Sequence, residues 1–253
     1  MLQEPGTRET RQTAREVKFL VPIAIADRIL AWSRARLSPD LHGTGPFGDE
    51  YRTNSVYLDT GALDVYYRRG SFARSKYRIR RYDSAPLAFL ERKLRTRNVL
   101  TKRRTPVTLD SLARLAREVD AEAWPGRWFE ERIRARHLRP TCQISYDRAA
   151  RLVTTLDGPA RLTVDHNVVA RPARAGDFVP EDARGTAVLS GDAIVELKFL
   201  GQPPAMFREL VESFALEPAT ISKYRLSIEA LARAGDAPAP ESAIVKTADV
   251  IDA

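Results

Sequence analysis

Arg74-Ser75-Lys76-Tyr77-Arg78-Ile79-Arg80-Arg81-Tyr82 alternates basic residues with apolar ones, and two related runs follow, Phe89-Leu90-Glu91-Arg92-Lys93 and Lys102-Arg103-Arg104. Along a strand, residues i, i+2 and i+4 share a face. Arg74, Lys76, Arg78 and Arg80 are therefore expected on one face, with Tyr77, Ile79 and Arg81 on the other. Like charges lined up on one face repel each other. Such a row makes physical sense when something strongly anionic lies against it.

The rest of the composition sharpens this reading. The chain has 253 residues and a formal charge of +8. Residues 66–104 hold fourteen Lys/Arg against two acidic residues, Asp83 and Glu91, a net of +12, which leaves the remainder mildly acidic. A local excess of this size focuses the field and gathers anions. It points to a nucleic acid, a nucleotide or a polyphosphate. The length and the 43% hydrophobic content suit one large domain or two small ones with a sizeable core. The single cysteine, Cys142, excludes an internal disulfide and a cysteine metal cluster and suits a reducing cytoplasm. Residues 1–13 lack the apolar core of a signal peptide, and no run approaches the roughly 20 apolar residues of a membrane span. Work at a membrane would then require a membrane-protein partner.

Working outward, residues 1–14 read as a flexible polar lead and 16–21 as a strand. Pro22 suits the first turn of a helix that ends near Leu37, with Ile25, Ile29, Leu30 and Trp32 as its buried stripe. The glycine-rich stretch 42–48 matches no phosphate-binding fingerprint and reads as a connection. Strand patterns occupy 53–58, 75–82, 88–93 and 99–107, and helical ones 109–119 and 127–137. Strands return at 141–146, 151–156, 161–168 and 193–199, before helices at 204–214 and 223–232. Residues 234–253 read as a disordered Ala/Pro-rich tail. Closely spaced strands with clustered helices indicate an α+β, mainly antiparallel protein. In an open sheet the charged face would be wet; in a closed barrel it would line a polar interior. Periodicity does not separate the two.

Taken together, the segments resemble the VTC domain, the polyphosphate polymerase module of the triphosphate tunnel metalloenzyme superfamily. The pieces run in family order: Glu16-Val-Lys18-Phe, Ser55-Val-Tyr57-Leu-Asp59-Thr, Lys76-Tyr-Arg78-Ile-Arg80-Arg-Tyr82, Phe89-Leu-Glu91-Arg-Lys93 and Lys102-Arg103 in the first half. Tyr146-Asp-Arg148, Arg161-Leu-Thr-Val-Asp165, Val195-Glu196-Leu-Lys198-Phe and Ser222-Lys223-Tyr224 continue it in the second. The resemblance implies a domain over 15–233, built as an antiparallel eight-stranded β-barrel, the triphosphate tunnel, with helices packed outside. It implies Arg78, Arg80, Lys93, Arg148 and Arg161 as catalytic phosphate clamps. Lys18, Lys76, Lys102, Tyr146, Lys198 and Lys223 would be further phosphate-binding residues. Glu196 would bind the metal, Mn²⁺ or Mg²⁺, with Glu16 and Glu91 in support. Arginine clamps phosphate oxygens bidentately, lysine acts as a point charge, and hard oxygen ligands suit these ions. Many tunnel enzymes open with Glu-x-Glu-x-Lys; here Ala14 takes the first position, leaving Glu16 and Lys18. That shortened form favours the VTC branch and makes two-metal hydrolysis a poorer fit.

Solvated surface is the plainer reading for Arg68, Arg69, Arg81, Arg95 and Arg97; ion pairing with Lys93 is an even reading for Glu91, and ion pairing with Lys198 the weaker of two readings for Glu196. His42, His137 and His166 lack ligand spacing, and Cys142 reads as a small buried hydrophobe. The expected activity is transfer of the ATP γ-phosphate onto polyphosphate. The alternatives are a noncatalytic polyphosphate- or nucleotide-binding module and a tunnel-type triphosphatase. Specific nucleic-acid binding is the weakest rival, because no groove-reading motif accompanies the basic residues.

Overall fold

The computed structural model describes residues 8–12, 14–83, 85–96, 99–116, 123–173 and 178–236. Its strands are β1 (Arg8–Gln12), β2 (Arg15–Pro22), β3 (Ser38–Pro39), β4 (Glu50–Asp59), β5 (Ser75–Tyr82), β6 (Leu87–Thr96), β7 (Val99–Thr108), β8 (Arg139–Thr155), β9 (Gly158–Pro172), β10 (Thr186–Ala187) and β11 (Asp192–Phe199). The α-helices are α1 (Ile23–Arg34), α2 (Asp64–Tyr67), α3 (Arg127–Ala135), α4 (Ala205–Ser213) and α5 (Lys223–Arg233). All strand pairs are antiparallel, in the order β1-β7-β6-β5-β4-β8-β9-β11-β2, with two-residue β3 and β10 attached to β8 and β9.

The two ends of this path, β1 and β2, follow each other in the chain. One N-terminal segment thus pairs with β7 through its first half and with β11 through its second. Among the described residues no ladder joins β2 to β1 or β7, so the chain itself carries the sheet across its seam. The lead expected over 1–14 is therefore a strand at Arg8–Gln12, while 1–7 and 13 lie outside the described residues. A backbone hydrogen bond from Ala219 N–H to the Lys18 carbonyl, 2.8 Å, brings the α4–α5 connection onto β2 as well.

The apolar core lies on the outer face of the sheet in two parts. Phe19, Leu162, Val164, Val195 and Leu197 of β2, β9 and β11 pack under Ala26, Ile29 and Leu30 of α1 and Phe207 and Leu210 of α4. Val56, Tyr77, Ile79, Leu90 and Ile144 pack under Trp128, Phe129 and Ile133 of α3 and Tyr224, Ile228 and Leu231 of α5. Tyr77 meets Phe129 edge-on at 5.9 Å between ring centres. Period-2 alternation then leaves the inner face to polar residues.

Several expected elements change. Residues 141–146 and 151–156 belong to one seventeen-residue strand, β8. Opposite it, the β8–β9 register shifts between Ser145 and Asp147, where Asn167 adopts a left-handed φ of 50°. A bulge re-aims neighbouring side chains, and asparagine tolerates that φ better than most residues. The helix expected over 109–119 is a 3₁₀ segment at Asp110–Ala116; 117–122 lie outside the described residues, as do 237–253 of the expected tail. On α1, Ala26 and Ser33 are buried and Trp32 is only partly so.

Candidate functional site

The inner face encloses a cavity of about 560 Å³. All fourteen residues singled out from the sequence for phosphate or metal line it. Their arrangement falls into three walls.

The first wall is β5 with β6 and β7. Lys76, Arg78 and Arg80 point inward on β5, and the neighbouring strands add Glu91, Lys93, Lys102 and Arg104. Arg78 Nε donates to Glu91 Oε2 at 2.6 Å, and its Nη1 donates to Tyr57 Oη at 3.2 Å. Arg80 donates to Ser55 Oγ at 3.0 Å and to Tyr146 Oη at 3.2 Å. Glu91 is 1% exposed and is also paired with Lys102 at 3.1 Å and Arg104 at 3.4 Å. Burial alone would raise its pKa; Arg78, Arg80, Lys102 and Arg104 outweigh burial and hold it well below the carboxylate range. Glu91 is thus the buried counter-ion of this wall, paired with Arg78, Lys102 and Arg104.

The same field acts on Tyr57. Burial would raise its phenol, but Arg78 and Arg80 bring it down to about 8. Lys76 is lowered by burial and by its neighbours Lys18 and Lys93, and Lys102 by burial and by Arg78 and Arg104.

The second wall is β8, β9 and the start of α5. Arg148 holds Asp165 with two hydrogen bonds of 2.5 and 2.7 Å, and Lys223 Nζ donates to the same carboxylate at 2.5 Å. Asp165 is 0% exposed. Burial opposes its charge, and Arg148 and Lys223 overcome burial, so it stays ionised far below the ordinary range. Arg161 pairs with Asp40 at 2.6 Å and donates to Tyr51 Oη at 2.7 Å. Ser222 caps α5, its Oγ accepting from the Arg225 N–H at 3.5 Å. Tyr224 Oη donates to buried Asp59 at 2.6 Å and its ring stacks on Tyr57 at 5.4 Å. These contacts fix Lys223 at the cavity.

The third wall, along the seam, is β2 with β11. Lys18 Nζ lies 2.7 Å from Glu16 Oε1 and 3.7 Å from Glu196 Oε2. Glu16 reaches across to Lys93 of β6 at 3.4 Å. Burial would raise the Glu16 pKa, but Lys93 and Lys18 bring it down to about 2. Lys198 is lowered by burial and by Lys93 and Arg161.

Among the described residues, no group of three His, Cys, Asp or Glu side chains could hold a metal ion by itself. Glu16 and Glu196 nevertheless present two carboxylates on adjacent strands, with a lysine ammonium already between them. Two carboxylates completed by phosphate oxygens match what a small hard divalent cation accepts. The donor set therefore fits such an ion only with a phosphate ligand present.

The sequence reading missed several inward residues. Tyr51, Tyr57 and Thr163, given no role there, line the cavity, as do Arg68 and Arg95, which were expected on the solvated surface; Arg104, part of the basic row, lines it too. Arg68 closes α2 with a left-handed φ of 57°, a turn that periodicity does not reveal. Arg97 lies outside the described residues.

An antiparallel, barrel-like sheet with its core outside and a cation-lined cavity within defines a tunnel fold. The chain belongs to the VTC domain family, whose model matches residues 13–232. No curated protein sequence matches it. Among solved structures, a Bacillus halodurans protein whose name proposes an adenylate cyclase is similar at 15% identity and TM-score 0.51, over 84% of this chain and 95% of that one. PH1819 from Pyrococcus horikoshii is 13% identical with TM-score 0.45 over 85% and 99% of the two chains. The Hippeastrum protein HpAC1, described as having a dominant triphosphatase activity, is 14% identical with TM-score 0.43 over 89% and 98%. The first likeness bears on the fold alone. No helix among the described residues is long and apolar enough to cross a membrane.

Proposed function

We propose that this chain is a metal-dependent polyphosphate polymerase-type enzyme that transfers the γ-phosphoryl group of ATP onto polyphosphate. The observation that carries this reading is the convergence of Arg78, Arg80, Arg148, Arg161 and the inward lysines on one cavity, each arginine held by a buried partner. A terminal oxygen of the acceptor phosphate would attack the γ-phosphorus while its bond to the β-phosphate oxygen breaks, releasing ADP. Such a transfer needs positioning and charge stabilisation more than a side-chain nucleophile. Arg78 and Arg80, held by Glu91, Tyr57, Ser55 and Tyr146, would meet negative charge on the transferring group without reorganising. Arg148 and Lys223, fixed by Asp165, would orient the rest of the phosphate chain from the opposite wall. Glu16 and Glu196 would hold Mn²⁺ or Mg²⁺, which when bound supplies neutralising charge to the phosphate oxygens.

The test is incubation of the pure protein with ATP and Mn²⁺, with products resolved on a polyphosphate gel. A polyphosphate ladder together with ADP is the expected result. ADP with orthophosphate alone would replace the reading with a tunnel triphosphatase, and binding without turnover with a noncatalytic module.

A further inference from the structure

Thr163 is a buried polar group of the cavity that no contact described so far accounts for. Thr163 of β9 is 4% exposed, lines the cavity, and its Oγ1 makes no hydrogen bond. Buried hydroxyls in folded proteins are nearly always paired, and an unpaired one costs free energy. Thr163 lies opposite Glu196 of β11 and Ala150 of β8. On β9 it shares its face with Arg161 and Asp165. Glu196 is a nearby acceptor for the hydroxyl, but its carboxylate is turned toward Lys18. By register, Arg161 lies two residues before Thr163 on β9 and opposite Lys198 of β11, and Lys18 lies opposite Glu196. Asp165, two residues after Thr163, carries Arg148 and Lys223, and all of these cations line the same cavity. A group that sits among cations and has a proton to donate is satisfied, together with those cations, by an oxyanion. A bare metal ion is the poorer fit, because a neutral hydroxyl is a weak ligand and the surrounding cations repel it.

We infer that Thr163 is a further phosphate ligand of the tunnel, its hydroxyl donating to a non-bridging oxygen of a bound triphosphate. This rests on the tunnel being a triphosphate site, and not on the reaction performed there. Thr163→Val keeps the branched shape and removes the donor; Thr163→Ser keeps the donor.

Inorganic tripolyphosphate is titrated calorimetrically, without metal, into wild type and both variants, and each free protein is melted. Thr163→Val weakens binding by about tenfold, the scale of one hydrogen bond to a charged acceptor, and Thr163→Ser stays within about twofold. Free Thr163→Val melts at or above the wild-type temperature, because it loses an unpaired buried hydroxyl. Unchanged affinity in Thr163→Val overturns the inference. So does a lower melting temperature that serine restores, which would mark the hydroxyl as structural. If wild type binds tripolyphosphate and Thr163→Val binds it weakly, but no polyphosphate is made from ATP, the inference stands and the polymerase reading fails. If wild type does not bind tripolyphosphate, both fail.

Discussion

Glu91 and Glu196 are both carboxylates facing cations, yet their surroundings differ. Glu91 is enclosed by Arg78, Lys102 and Arg104, whereas Glu196 meets Lys18 at 3.7 Å beside Glu16. Glu196→Gln keeps the shape and removes one repelling charge. Binding of metal-free tripolyphosphate should therefore stay equal or tighten, while turnover of ATP with Mn²⁺ collapses by at least about a hundredfold, the usual scale for losing a charge-stabilising group. Normal turnover in that variant would make Glu196 an ordinary ion-pair residue. Tyr57 supplies a pH test. Its phenol titrates near 8 in the free tunnel because Arg78 and Arg80 stabilise the phenolate against the opposing effect of burial. Lys76 and Lys18 also face it, and its ring lies on Tyr224. Ionisation puts a negative charge where phosphate should bind, so tripolyphosphate affinity should fall as pH rises through about 8. Tyr57→Phe should abolish that limb in the pH profile measured by calorimetry. Arg78 and Arg80 were legible in the sequence because period 2 alone puts them on one face. Ion pairing was already open for Glu91, but the partners that Glu91 and Asp165 take were not legible, because they come from other elements and depend on register and packing.

At the scale of elements, α5 is part of the site through Lys223 and part of the core through Tyr224. The Tyr224 phenol is pushed far up by burial and by the Asp59 carboxylate, so it remains the donor of their 2.6 Å bond. Tyr224→Phe deletes that donor and leaves Asp59 the backbone N–H groups of Thr60, Val65 and Tyr66. It should cost about 1–3 kcal/mol in chemical denaturation. It should also weaken tripolyphosphate binding, because Lys223 loses its anchor. A stability loss with unchanged affinity would confine Tyr224 to the core. Helices α1, α3, α4 and α5 were legible as helical segments, α1 also from its apolar stripe and from Pro22 at its start. The strand Arg8–Gln12 was not, because its short, charged sequence has no apolar alternation and its order comes from pairing with β7. Asp147-Arg148-Ala149-Ala150 read as a break, yet β8 runs through it, with Arg148 drawn inward by Asp165.

At the scale of the whole molecule, the decisive property is the inversion of the sheet, with the apolar core outside and the charges within. Alternation predicted two chemically distinct faces but could not say whether the polar one was open. Closure depends on β1 and β2 lying at opposite ends of the strand order, and that is a long-range fact. A confined cationic cavity discriminates by the number of phosphates it can hold at once, whereas an open basic face would take any polyanion. The most direct measurement is a competition titration of the protein against ATP with tripolyphosphate, orthophosphate and duplex DNA across a range of salt. The tunnel predicts that tripolyphosphate displaces ATP and binds far more tightly than orthophosphate, while DNA binds weakly and fades steeply with salt. Tight, salt-resistant DNA binding that tripolyphosphate does not compete away would contradict it.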